Sequence, residues 1–232
     1  MNTLSGVAQV PNFLDDNGTA SIATLLLMSH HAFRRDIMRF ILAVEQIKNG
    51  DASRIEAVRN EWESSYRQAL HGHHVMEDTH IFPDIQSKHP ELVIVIDQLA
   101  EQHHTIDPVL EKGDVAFANL RQPRQAETVL HELRSLLDLH LTFEEASITP
   151  SLRDSKDFPV PTNEKEADLY AQGFAWSMQG IAPEVLTEVR KLLPENLVEK
   201  LPAAQEEFEK RSERVWGTYV VGSATTPLPK DY

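Results

Sequence analysis

One pattern of four residues occurs twice in the chain, and the two copies stand 67 positions apart. Each copy runs leucine, histidine, glutamate, proline, with steps of three, four and six positions. Residues four apart on a helix lie on the same face, so two facing copies would bring two imidazoles and two carboxylates together. The pattern therefore predicts a metal site for two hard or borderline cations rather than a closed zinc site. The pairs are His73 with Glu77 and His140 with Glu144.

Apolar residues recur every three or four positions up to about residue 152, which is typical of amphipathic helices, and no strand pattern interrupts them. Gly50 is expected to end the first helix, Pro83 to follow the end of the second, and Pro108 to bend the third. Four long helices with short connections predict an all-α fold, an up-down-up-down four-helix bundle. The predicted helices cover residues 19–47, 52–82, 90–119 and 123–148.

The composition changes after the fourth predicted helix, where charged residues and two prolines indicate a linker. Beyond the linker, three shorter helices are predicted at 164–178, 183–193 and 197–219, followed by an extended tail. This C-terminal part contains no histidine and no recognisable ligand pattern. The predicted organisation is a bundle with the dimetal site at 15–152, a linker at 153–163, and a C-terminal helical extension with its tail at 164–232.

Composition also excludes several classes of function. The chain has no cysteine, so disulfides, zinc–thiolate sites and cysteine catalysis are ruled out. Its net charge of −14 argues against nucleic acid or an anionic membrane as a partner. The first residues lack the pattern of a signal peptide, and the apolar runs are too short to span a bilayer. A cytoplasmic protein is therefore expected.

Histidines also interrupt the apolar stripes of the first and third predicted helices, at His30 and His103. Each helix hairpin thus contributes one histidine from its first helix and a histidine–glutamate pair from its second. Both glutamates fall on apolar stripes without a lysine or arginine nearby, and burying them unpaired would be costly. A dimetal centre would neutralise them. The predicted ligands are His30, His73, Glu77, His103, His140 and Glu144.

Adjacent histidines force a choice of helix register. His103 keeps step with the apolar residues of its helix, whereas His104 aligns with Asp107. His74 has Asp78 one turn later, but the parallel between the two copies of the pattern favours His73 as the ligand. His74 and His104 are therefore interpreted as boundary residues just outside the ligands or as alternate ligands, and Asp107 as an added ligand or a solvated carboxylate. Tyr66 is interpreted as bundle core or as a residue that tunes the site.

The chain resembles the hemerythrin-like, HHE cation-binding family. Four segments carry the resemblance, which covers residues 20–152: HHAFRRDI (30–37), LHGHHVMEDTHIFP (70–83), EQHHTIDPVL (101–110) and LDLHLTFEEASITP (137–150). The resemblance implies a four-helix bundle around a di-iron centre with an oxo or hydroxo bridge. It further implies that the four histidines above are terminal ligands, that Glu77 and Glu144 bridge the irons, and that a small ligand such as dioxygen binds.

The sequence departs from the oxygen-carrying hemerythrins, which have a second histidine one turn from the third-helix ligand. Leu99 and Asp107 stand at those positions here, and Glu144 replaces an aspartate five residues after the histidine. Four histidines in place of five predict a harder, more anionic site that favours ferric iron.

The expected function is that of a di-iron protein that binds or senses dioxygen, peroxide, nitric oxide or iron itself. A di-iron oxidoreductase, for example one that disproportionates peroxide, is the first alternative, and we favour a binding protein over an enzyme. A structural or interaction module stabilised by its metal is the second alternative. In that case, the C-terminal helices would dock on the bundle, close a homodimer or bind a partner.

Overall fold

The structure is a computed structural model that describes residues 12–156, 158 and 160–217. The described residues form helices, turns and loops without a β-strand, as the sequence predicts. Among them, no helix combines the length and the apolar character needed to cross a membrane. The predicted tail from residue 220 onward lies outside the described residues.

Four helical stretches build the bundle, and three of them are single helices. The second stretch, here called the second bundle helix, contains three α-helical segments separated by two π-helical turns, Trp62–Tyr66 and Glu77–Ile81. Its segments are α2 (Ile55–Glu61), α3 (Arg67–Met76) and α4 (Phe82–Lys88). The other bundle helices are α1 (Ile22–Lys48), α5 (Val93–Ala118) and α6 (Arg124–Ser147), which the short α7 (Thr149–Leu152) follows.

Glycine and proline act differently at the helix ends. Gly50 has a φ of 108°, a value that favours glycine, and its N–H donates to Ile47 O, so α1 ends where the sequence predicts. The expectation that the second bundle helix ends before Pro83 is wrong, because the helix continues to Lys88. A proline ring normally clashes with the carbonyl four residues earlier. The preceding π turn, in which Phe82 N–H bonds to Glu77 O, widens the backbone there.

Two apolar clusters fill the bundle, one at each end, and a polar layer separates them. Along α1, the chain passes from Ala23 and Leu26 in the smaller cluster to Phe33 and Phe40 in the larger one. The second bundle helix passes in the opposite direction, α5 returns to the direction of α1, and α6 reverses again. This alternation is the up-down-up-down order that the sequence predicts.

The C-terminal helices pack against this bundle. They are α8 (Glu164–Met178), α9 (Pro183–Leu192) and α10 (Glu195–Trp216). Part of their apolar surface forms a third cluster with the start of the chain, around Val189, Leu197 and Leu201. Other side chains, among them Trp176 and Trp216, join the larger cluster of the bundle. The extension therefore shares a core with the four helices.

Candidate metal centre

The polar layer between the two apolar clusters consists mainly of histidine and glutamate side chains. Six of its members are the predicted ligands, and the seventh is His74. All are almost fully buried except His73, whose side chain is 12% exposed. The seven residues are His30, His73, His74, Glu77, His103, His140 and Glu144.

Their ligand atoms form two groups, and within each group the atoms lie within 4.8 Å of one another. The first group contains three imidazoles, from His74, His103 and His140. The second contains two imidazoles and two carboxylates, from His30, His73, Glu77 and Glu144. Each group matches the donor set of one metal ion, since imidazole nitrogens and carboxylate oxygens are common ligands of transition metals.

The two carboxylates connect the groups. Glu77 Oε1 lies 3.0 Å from His73 Nε2, and its Oε2 lies 3.5 Å from His103 Nε2. Glu144 Oε2 lies 3.3 Å from His30 Nε2 and 3.6 Å from His140 Nε2. Each carboxylate therefore reaches a histidine of both groups, which is the placement needed to bridge two ions.

Outer hydrogen bonds orient three of the imidazoles. In each, Nδ1 contacts an oxygen of a neighbouring side chain, and a ring that donates Nδ1–H to this oxygen turns its Nε2 lone pair toward the layer, as a metal ligand requires. The Nδ1 atom of His30 lies 3.0 Å from Glu145 Oε1, that of His103 lies 2.9 Å from Asp78 Oδ1, and that of His140 lies 3.0 Å from Gln102 Oε1.

This arrangement turns acceptors toward one another inside the layer. The Nε2 atoms of His103 and His140 are 3.2 Å apart. The carboxylate oxygens of Glu77 and Glu144 have no hydrogen-bond partner in the described structure. Buried acceptors without donors are strongly unfavourable, and a cation between them removes the conflict. Separations near 3 Å also suit ligands that share an octahedral ion with bonds of about 2.1 Å.

The charges of the two glutamates support the same conclusion. Burial raises the pKa of Glu77 well above its ordinary value, and the neighbouring Glu144 carboxylate raises it further. Burial acts in the same direction on Glu144, but the charged form of His30 beside it lowers the pKa of Glu144 to about 2. Burial alone would lower the pKa of His30, but Glu144 and Glu145 raise it above its ordinary value. One carboxylate is thus held ionised, whereas the second needs added positive charge nearby to ionise.

The family model described as the hemerythrin HHE cation-binding domain matches residues 21–152, more than half of the chain. The chain belongs to the hemerythrin HHE family. Comparisons with curated proteins and with solved structures gave no match. All seven residues of the layer fall inside the matched range, whereas α8, α9 and α10 fall outside it. The family assignment confirms the resemblance drawn from the motifs and supports metal binding as the role of the layer.

His74, which the sequence offers as a boundary residue or an alternate ligand, lies with the other members of the polar layer. The polar layer contains five histidines, because His73 and His74 both face inward, one toward each group. Neighbouring residues diverge by about 100° around a helix, and Glu77 is a neighbour of both, at three and four positions. The expectation of a harder, ferric-favouring site depends on four histidine ligands, and it stays a prediction. The available signal was a pair of adjacent histidines that share one glutamate.

Three further residues named from the sequence lie outside the two groups. His104 is exposed and Asp107 is half-buried, and neither belongs to the polar layer. Tyr66 is buried, and its hydroxyl donates to Phe33 O at 3.3 Å rather than to a glutamate. The Phe33 ring lies 5.1 Å from the ring of His73. Tyr66 therefore supports the site through the position of Phe33.

Proposed function

We propose that the HHE domain holds two iron ions and binds a small ligand such as dioxygen, peroxide or nitric oxide. The supporting observation is the pair of buried carboxylates, Glu77 and Glu144, which each reach both groups of histidines. The proposed ligands of one ion are His74, His103 and His140, those of the other are His30 and His73, and both glutamates are shared. Iron suits this mixed set of imidazoles and carboxylates, and when bound it supplies the redox change that dioxygen chemistry needs.

The two groups of donors form two halves of the proposed centre, and their unequal number of histidines gives the halves different roles. The half with His30 and His73 has one imidazole fewer, so an ion held there would have fewer protein donors and more room for an outside ligand. His73 is also the most exposed member of the layer. A small molecule entering from solvent therefore meets the half of the centre that has room for it.

The surrounding residues orient the donors and exclude water. Asp78, Gln102 and Glu145 hold three imidazole rings in place and increase their basicity through the Nδ1 hydrogen bonds. Arg34 pairs with Glu145 and neutralises that carboxylate. The apolar clusters on both sides of the layer keep bulk water away from the donors.

Metal content of the purified protein, measured by mass spectrometry together with an optical spectrum in air, tests this proposal. We expect about two irons per chain, one for each group of donors. Glu77→Ala or His140→Ala should lower the iron content, because each removes a donor from the centre. The exposed His131 provides the control, and His131→Ala should leave the content unchanged. If neither ligand variant loses metal, the assignment of the centre is wrong.

A further inference from the structure

The end of α8 lies beside the half of the centre that has two histidines. Trp176, in the last turn of this helix, packs against Phe33 with 4.9 Å between ring centroids. Phe33 in turn lies 5.1 Å from the His73 ring. One aromatic ring therefore separates a residue outside the matched family domain from a proposed ligand.

A buried network of charges holds Trp176 in this position. Its indole N–H donates to Asp36 Oδ2 at 2.7 Å, and its carbonyl accepts from Arg35 Nη1 at 3.1 Å. Arg35 Nη1 also donates to the carbonyl of Gln179 at 2.8 Å, so the guanidinium caps the end of α8. Arg35 and Asp36 are 2% and 3% exposed and pair with each other. Buried, fully bonded charges permit one geometry, so the indole is fixed against Phe33.

The half with three histidines is enclosed differently. There the ring that packs on a proposed ligand is Phe82, whose centroid lies 5.7 Å from that of His103. Phe82 belongs to α4, inside the matched domain. The aromatic ring beside each half thus has different surroundings, and Phe33, beside the half with His30 and His73, is in contact with the C-terminal extension through Trp176.

Building on the proposed function, we propose that Trp176 is a positioning residue that limits the size of the ligands reaching the half with His30 and His73. It acts through Phe33, which cannot move away from His73 while the indole stands behind it. We expect a diatomic or linear triatomic ligand to bind without displacing the Phe33 ring, whereas a bulkier ligand would have to displace it. The extension is therefore part of the ligand site of this chain.

The test compares two anions, azide and the bulkier phenolate, on the iron-loaded, oxidised full chain. Both give charge-transfer bands with ferric iron, so their dissociation constants follow from optical titrations. Trp176→Ala should reduce the preference for azide by about tenfold or more, the usual size of steric selection in an apolar pocket. Trp176→Phe should retain the preference, because it keeps a ring behind Phe33. Trp216→Ala removes an equal volume from α10, where Trp216 contacts Phe40 instead, and should also retain it.

Iron content and circular dichroism of each variant show that the comparison is between folded, loaded proteins. If Trp176→Ala does not fold, Trp176→Leu is judged by the same criterion. An azide preference that stays within twofold of the unmodified protein in these variants would overturn the inference and leave the proposed function intact. If the unmodified, loaded protein binds neither anion, the proposed function fails and the inference fails with it.

Discussion

Replacing Asp36 by alanine tests how the C-terminal extension is held on the bundle. The Asp36 carboxylate accepts hydrogen bonds from Arg35 Nε at 2.8 Å, Arg35 Nη2 at 3.1 Å, Arg39 Nη1 at 3.0 Å and Trp176 Nε1 at 2.7 Å. Two of these partners are guanidinium groups that are themselves buried. Asp36→Ala leaves both charges inside the protein without their shared counter-charge.

The size of the effect follows from that loss. Removing one partner of a buried ion pair costs about 3–5 kcal/mol, because the remaining charge stays desolvated. In a protein of this length, each kcal/mol shifts the melting temperature by about 2–4 °C. Asp36→Ala should therefore lower the melting temperature by about 6–20 °C.

Thermal unfolding followed by circular dichroism, at equal metal loading, measures this shift. Asp84→Ala is the matched control, since Asp84 pairs with Lys88 at 2.7 Å on the surface, where its side chain is 57% exposed. Exposed pairs contribute little, so the control should melt close to the unmodified protein. Equal shifts for the two variants would refute the argument that the buried network anchors the extension.

The loss of stability caused by Asp36→Ala should depend on pH in a known direction. Burial acts to raise the pKa of Asp36, but Arg35 and Arg39 hold it below the ordinary value of 3.8. A carboxylate whose pKa is lowered by folding contributes stability above its unfolded pKa and loses it as the pH falls through the folded value. The stability difference between the unmodified protein and Asp36→Ala should therefore be constant from neutral pH down to about 4, and should decrease only below that.

Two further predictions concern the metal. His74→Ala should lower the iron content, because it removes one of the three imidazoles of its group. His104→Ala changes the exposed neighbour of His103 and should leave the iron content unchanged. Equal iron contents in the two variants would exclude His74 as a ligand. Removing the metal with a chelator should lower the melting temperature by about 5–10 °C, the effect of a ligand present at about 100 times its dissociation constant. An unchanged melting temperature after complete metal removal would mean that the ions do not stabilise the fold.

Much of the polar layer was predictable from helix periodicity. His30, His103 and the two histidine–glutamate pairs occupy apolar stripes, and a charged or polar group repeated on such stripes must face its counterparts in the core. The structure brings all six together in one layer. The family motifs pointed to the same residues, and the match over residues 21–152 agrees with that resemblance.

Three features of the structure depend on choices that the local sequence pattern leaves open. For His73 and His74, both registers are compatible with the helix, and only the positions of α5 and α6 show that the layer is wide enough for both. Pro83 is a helix-ending signal in isolation, but the π turn before it lets the helix continue. In the same way, the partner of the Tyr66 hydroxyl is a carbonyl of another helix, which sequence spacing does not reveal.

The sequence by itself thus determined the helical class, the alternating direction of the four helices and most of the polar layer. These properties depend on periodicities within single helices, which the order of residues records directly. The packing of the extension on the bundle was decided by tertiary structure alone. Trp176 and Asp36 are 140 residues apart along the chain, and their hydrogen bond exists only because α8 packs on α1. Contacts of this kind depend on how separate elements meet, and no local period encodes them.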